Sequence, residues 1–216
     1  MNQLNLKEME RKAFRSTFQD GLWDIYLGLI VIGMAIFIFR PQAGYSGWNL
    51  LLMVAVFGLA YGLFWLGKKF VTTPRLGQVT FGPLRKQKKT TLAIILGVVV
   101  VVQAGVVALS AMGWLNPEVG AKINAFLNVR DLERLTVAAI GALFIGPSMI
   151  LVAYFNDFSR GYYIAILMSV AVFLMIWLNQ PFYPVILGGL IILPGVILFV
   201  RFLQKYPLHR KDAPNG

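Results

Sequence analysis

Apolar stretches of about twenty residues, separated by short polar segments, form the main pattern along the chain. Roughly 20 residues at 1.5 Å rise cross a hydrocarbon core of about 30 Å. The stretches cover residues 22–39, 48–67, 91–113, 135–155, 162–178 and 182–200. The pattern therefore predicts an all-α membrane protein with six transmembrane helices, and the short connections between them predict antiparallel neighbours.

The polar segments divide this predicted protein into six parts. Residues 1–20 combine apolar positions on one side of a helix with basic residues elsewhere, which indicates an N-terminal amphipathic helix at the membrane interface. The parts are 1–20, the interfacial helix; 21–67, the first transmembrane hairpin; 68–90, a basic cytoplasmic loop; 91–155, the second hairpin with an outer loop at 114–134; 156–203, the third hairpin; and 204–216, a basic cytoplasmic tail.

The polar loop at 68–90 contains two β-prone pieces, residues 70–73 and 78–81. Pro74 and Gly77 lie between them, and these residues favour a turn because Pro presets one backbone angle and Gly accepts a positive φ. The sequence therefore predicts a short cytoplasmic β-hairpin between spans 2 and 3.

Small residues and prolines mark three of the spans. Ala55, Gly58 and Gly62 recur at helical spacing, which we interpret as an internal packing stripe in preference to a dimerisation face. Pro147 is expected to kink its span, and Pro194 interrupts the last one.

Composition and charge support a lipid environment. Hydrophobic residues make up 58% of the chain, charged residues 13%, and the mean hydropathy is +0.70, which excludes an ordinary soluble domain. The formal net charge of +11 suits anionic head groups better than nucleic acid, because basic residues beside a membrane are worth about 1 kcal/mol each. There is no cysteine, so no disulfide and no Cys-ligated metal site is expected.

The distribution of basic residues predicts orientation. With the N-terminus inside, the cytoplasmic parts would hold sixteen of the twenty lysines and arginines and the outer parts four. An excess of Lys and Arg marks cytoplasmic loops. Both N- and C-termini of this multi-pass membrane protein are therefore predicted to be cytoplasmic.

Two sets of polar residues are candidate functional residues at this inner face. The first is a cytoplasmic-face polar cluster at the ends of spans, which could hold a head group, a small ligand or a partner, or could consist of ion pairs that seat the helix ends. Its members are Asp20, Asp24, Arg75, Asp157, Arg160 and Arg201. The second set, the candidate contacts for anionic lipid, is Arg85, Lys86, Lys88 and Lys89.

The predicted membrane interior offers little chemistry. Its spans hold almost no ionisable residue, the single histidine is His209 in the tail, and no phosphate-binding glycine loop or metal-ligand spacing occurs. No cofactor, metal or catalytic residue is therefore predicted, and the chain is not expected to be an enzyme. Lipid chemistry through Asp20, Asp24 or Asp157 is a minor alternative.

Two functions remain open from the residues. The first is a non-enzymatic accessory or regulatory membrane subunit, whose basic face binds anionic lipid or a protein partner, with homo-oligomers also allowed. The alternative is a small-solute transporter or channel subunit acting as an oligomer, with an opening bounded by Gln103, Ser148 and Pro194.

Two segments of the chain resemble a group of small multi-span prokaryotic membrane proteins of uncharacterised activity. The residues that carry the likeness are 14–28, FRSTFQDGLWDIYLG, and 74–81, PRLGQVTF. The resemblance implies a bacterial or archaeal plasma membrane. It implies no activity and no site residue.

Overall fold

The computed structural model describes the backbone of residues 18–37, 47–76, 83–115 and 130–207, and the side chains of 18–36, 51–76, 87–105 and 134–207. Every regular element in these ranges is helical, as expected where apolar surroundings require backbone groups to bond within the segment. The helices are α1 Leu22–Met34, α2 Gly47–Leu66, α3 Pro83–Leu115, α4 Arg130–Phe155, α5 Arg160–Leu178 and α6 Phe182–Lys205. A 3₁₀ turn, Ala35–Phe37, follows α1, while a π-helical segment, Gly67–Thr72, and an α-helical turn, Thr73–Leu76, continue α2.

The predicted count of six transmembrane helices is wrong. Five helices in the described residues are long and apolar enough to cross a membrane: Leu51–Leu76, Gln87–Gly105, Arg134–Phe155, Arg160–Leu178 and Phe182–Lys205. The sixth apolar helix, α1, has 13 residues, which is short of the roughly 20 that a span needs. Its α-helical backbone ends at Met34, although the apolar sequence continues to Phe39.

The predicted β-hairpin is also wrong. Its first strand, residues 70–73, belongs to the π-helical segment and the start of the following turn, and no strand occurs in the described ranges. Pro74 does not end the helix, because helical backbone continues through it from the π-helical segment into the turn Thr73–Leu76. The second strand, 78–81, lies outside the described residues.

Two further predicted elements lie largely outside the described residues. Of the interfacial helix at 1–20, only residues 18–20 are described, and these form a turn. The predicted outer loop at 114–134 is helical at both edges, where α3 extends to Leu115 and α4 begins at Arg130.

Glycines bring α1 and α6 into direct backbone contact. A Cβ built on Gly28 would lie 2.8 Å from the carbonyl oxygen of Gly188, and one built on Gly188 would lie 2.8 Å from that of Gly28. About two turns away, a Cβ on Gly195 would lie 3.0 Å from the carbonyl oxygen of Gly21. The order of these contacts makes the two helices antiparallel.

The buried core joins this helix pair to α5. Its members come from α1, α5, α6 and the two turns that precede α1 and α5: Phe18, Leu27, Val31, Phe158, Ile164, Met168, Ala171 and Ile191. α4 packs against α5, so four helices form the centre of the molecule.

Both intraspan prolines lie inside continuous helices, Pro147 in α4 and Pro194 in α6. Pro194 has no N–H for the carbonyl of Leu190, four residues earlier. The hydroxyl of Tyr163 on α5 donates to that carbonyl at 3.4 Å. The neighbouring helix thus supplies a donor where the proline removes one.

α2 and α3 lie at the periphery. α2 packs on α1, α3 packs on α4, and Leu92 is the single buried residue among side chains 87–105. A Cβ at Gly58 or Gly62 would meet no described atom within 4 Å. The interpretation of these glycines as an internal packing stripe is therefore not supported, and this face of α2 is open.

Candidate functional site

Asp20 is the centre of a buried polar cluster at one end of the helices. It closes the turn before α1, and its side chain has no exposed surface. Its Oδ1 accepts the backbone N–H of Leu22 at 3.2 Å, which satisfies one of the donors that the first turn of a helix leaves without a partner. Its Oδ2 accepts two further hydrogen bonds, both from the segment that continues α2.

Lys68 and Thr72 supply those two bonds. Lys68 Nζ lies 2.6 Å from Asp20 Oδ2, and Thr72 Oγ1 lies 2.6 Å from the same oxygen. The two residues are four apart in the π-helical segment, so both side chains face α1. Thr73 Oγ1 donates to the carbonyl of Lys68 at 2.8 Å and so bonds within this segment. Asp20 is thus held by three donors.

Asp24 lies one helical turn beyond Asp20 and has a different environment. Its side chain is 2% exposed, and Arg160 Nε is 3.3 Å from Oδ2. Neither Asp24 oxygen accepts a hydrogen bond from the residues that the structure describes. A Cβ on Gly195 would lie 2.8 Å from Asp24 Cβ, which shows how closely α6 covers this residue.

Arg160, the first residue of α5, connects this carboxylate to the turn before α1. Its Nη2 donates to the carbonyl of Phe18 while Nε faces Asp24. A tight turn places it there: Asp157 has a φ of +50°, and the N–H of Phe158 donates to the carbonyl of Ala153 at 2.9 Å. Its side chain is 30% exposed, so one part of it reaches the surface.

We call the four charged residues Asp20, Asp24, Lys68 and Arg160 the buried charge cluster. The two carboxylates and two cations balance, and the ion pairs join α1 to α2 and α1 to α5. Buried charges are expensive to remove from water unless they are paired and hydrogen-bonded. The cluster therefore fixes which helix ends lie together.

Three of the six predicted cluster residues, Asp20, Asp24 and Arg160, come together in the structure. The others have different environments. Arg75 donates to the carbonyl of Val71 at 3.0 Å, Arg201 is exposed on α6, and Asp157 shapes the turn before α5.

Lys68 and Thr72 belong to the cluster but were not predicted from the sequence. Both were assigned to the basic loop, and Thr72 to a strand of the hairpin. One feature of the sequence could have indicated their role. They are four residues apart directly after an apolar stretch, which places both on one face if the helix continues.

The predicted lipid contacts lie on the first turns of α3. Lys88 and Lys89 have exposed side chains, while the side chains of Arg85 and Lys86 lie outside the described residues. Only six residues separate Leu76 from the start of α3, so this basic helix start lies within about 25 Å of the end of the α2 extension.

The fold and the cluster define a helical protein with five apolar helices able to cross a membrane. No group of three His, Cys, Asp or Glu side chains that could hold a metal ion occurs in the part of the chain that the structure describes. Comparison of the chain with protein-family models, with curated proteins and with solved structures finds no match.

Proposed function

We propose that this chain is a multi-pass protein of a prokaryotic plasma membrane, an accessory or regulatory subunit without catalytic activity. One end of the protein carries the buried charge cluster and the start of α3, and we call it the basic end. In this proposal the basic end faces the cytoplasm and binds anionic lipid head groups.

One observation carries the proposal: two acids at the basic end, Asp20 and Asp24, are buried and paired, while five cations there are exposed. Asp20 and Asp24 are two of the three acidic side chains described, and both are paired inside the protein. The exposed cations at this end are Lys69, Lys88, Lys89, Arg201 and Lys205. The outer surface here is therefore strongly positive, which attracts anionic head groups by about 1 kcal/mol per residue.

α6 supports the placement of its two cations at the basic end. Leu198 Cβ lies 3.1 Å from a Cβ built on Gly21, so the last turns of α6 extend past the start of α1. Arg201 and Lys205 follow within those turns. Lys69 lies 4.6 Å from the centre of the Trp65 ring, an aromatic and cation pair typical of membrane interfaces.

Lipid binding is tested by thermal unfolding of the full chain in detergent with added phosphatidylglycerol or phosphatidylcholine. A ligand that binds the folded state raises its stability. The K86Q/K88Q/K89Q variant should lose much of the stabilisation given by phosphatidylglycerol. The matched K86R/K88R/K89R variant keeps the charge and should retain it. Equal stabilisation of the Gln variant and the wild type would reject the electrostatic proposal.

Orientation is tested separately with single-cysteine variants, which need no cysteine-free background because the chain has none. An impermeant maleimide applied to intact cells should label R134C, at the opposite end of α4, and should spare K88C. Labelling of K88C would place the basic end outside and reject the cytoplasmic assignment.

The transporter alternative gains no support from its expected lining residues. Ser148 donates to the carbonyl of Phe144 in its own helix at 2.5 Å, and the carbonyl freed by Pro194 accepts from Tyr163. These polar groups are bonded between or within helices, so they do not favour a solute path.

A further inference from the structure

Asp24 is a buried carboxylate whose oxygens lack hydrogen bonds. Its side chain is 2% exposed, and neither oxygen has a donor. Asp20, one turn away and equally buried, has three donors. The two acids thus share a position at the end of one helix but differ in how their charge is satisfied.

The charged groups around Asp24 come from each element packed against it. Asp20 precedes it on its own helix, Lys68 faces it from the α2 extension, and Arg160 faces it from α5. Lys68 is 2.6 Å from Asp20, so its closest described carboxylate is not Asp24. The guanidinium of Arg160 contacts Asp24 through Nε and donates to the carbonyl of Phe18 through Nη2.

The remaining neighbours contribute little compensating charge. α6 covers Asp24 with the backbone of Gly195, and the charged residues described on α6, Arg201 and Lys205, are exposed. Asp157, in the turn before α5, is a further acid three residues from Arg160. Asp24 therefore faces one cation at ion-pair distance, Arg160, a second cation that is bonded to Asp20, and one anion, and it has no hydrogen-bond donor among the described residues.

The ionised form of such a carboxylate is unfavourable in free energy. Burial disfavours the charged form, and a second carboxylate nearby disfavours it further. Asp20 has three donors, Lys68, Thr72 and the N–H of Leu22, whereas Asp24 has none among the described residues. Asp24 is therefore the acid whose charge is less well satisfied.

We propose that Asp24 is a proton-binding site that takes up and releases a proton between about pH 5 and pH 8. A hydronium ion from the adjoining water gives its proton to one Asp24 oxygen and leaves a water molecule, and no other bond changes. The charge of the buried cluster then rises from zero to +1, carried by Arg160, whose side chain reaches the surface.

Proton binding at Asp24 is measured on the wild-type chain by solid-state NMR in lipid vesicles, with ¹³C- and ¹⁵N-labelled aspartate and isoleucine. The Asp24 carboxyl signal is assigned through its bond to Ile25. An ordinary aspartate, with a pKa of about 3.9, is more than nine-tenths ionised at pH 5. We expect Asp24 to show the carboxylic-acid signal near pH 5 and the carboxylate signal near pH 8.

An Asp24 signal that stays in one form, acid or carboxylate, across this range overturns the proposal. Infrared difference spectra between the two pH values give an independent readout. D24N should lose the carboxylic-acid band, and the matched D157N variant should keep it. Lipid binding plays no part in either measurement, so the function proposed above and this proton site can fail separately.

Discussion

Gly21 lies directly against Gly195: a Cβ atom built on Gly21 would be 2.1 Å from the carbonyl oxygen of Gly195. Gly21 also has a φ of +73°, a left-handed conformation that residues with a side chain rarely adopt. Space and backbone conformation thus both require glycine at the point where α1 begins.

We expect G21A to lower the free energy of unfolding by about 2 kcal/mol or more, because backbone strain and overpacking each cost about 1–3 kcal/mol. Thermal unfolding of the purified chain in detergent measures the change. G58A is the control, since a Cβ there meets no described atom within 4 Å, and it should not destabilise the chain. Similar melting of the two variants would contradict the close contact of α1 with α6.

The Asp20–Lys68 ion pair predicts strong coupling between two helices. Removal of one partner from a buried pair costs about 3–5 kcal/mol because the other charge stays buried. D20N and K68M should each destabilise the chain, while the double variant should be less destabilised than the sum by about 1–3 kcal/mol. Additive effects would show that the pair does not form. K69M, at an exposed neighbour, is the matched control.

Thr72 and Thr73 offer a paired comparison of two adjacent hydroxyls. Thr72 donates to a buried carboxylate and Thr73 to a backbone carbonyl. Hydrogen bonds to charged groups are worth about 1.5–3 kcal/mol, and those between neutral groups about 1 kcal/mol. T72V should therefore destabilise the chain more than T73V does, as measured by thermal unfolding. The reverse order would argue against the π-helical placement of Thr72.

Arg160 should not be replaceable by lysine. Its guanidinium contacts Asp24 and the carbonyl of Phe18 through two different nitrogens. The ammonium group of a lysine has a single nitrogen, so it does not reproduce this pair of contacts. R160K should lower the unfolding temperature measurably, whereas R201K, at an exposed position, should not. Hydrogen exchange at the turn before α1 should rise in R160K; unchanged exchange there would mean that Arg160 does not hold this turn.

The sequence was sufficient to predict that the long apolar stretches are helices, because such stretches have few alternatives in lipid. It was also sufficient to bring Asp20 and Asp24 together, since their spacing is one helical turn, and to place Arg160 at a helix end on the same side. Lys68 and Thr72 were missed because residues 70–73 are β-prone and precede Pro74. Local propensity is a weak guide where a preceding apolar helix can continue.

The length of α1 and its close pairing with α6 could not be predicted from the sequence, for a related reason. Apolar composition continues to Phe39, so nothing in the hydropathy marks the end of the α-helix at Met34. Gly28 and Gly188 are far apart in the chain, and a single sequence does not show which distant glycines meet. Their contact depends on tertiary packing.

The pairing of α1 with α6 sets the order of events during biosynthesis. Chains are made from the N-terminus, so α1 leaves the ribosome first and its glycine-lined partner leaves last among these helices. Until then Asp24 has no Gly195 backbone beside it, and until α5 emerges it has no Arg160. The contacts between α1 and α6 therefore form only after synthesis of the last helix.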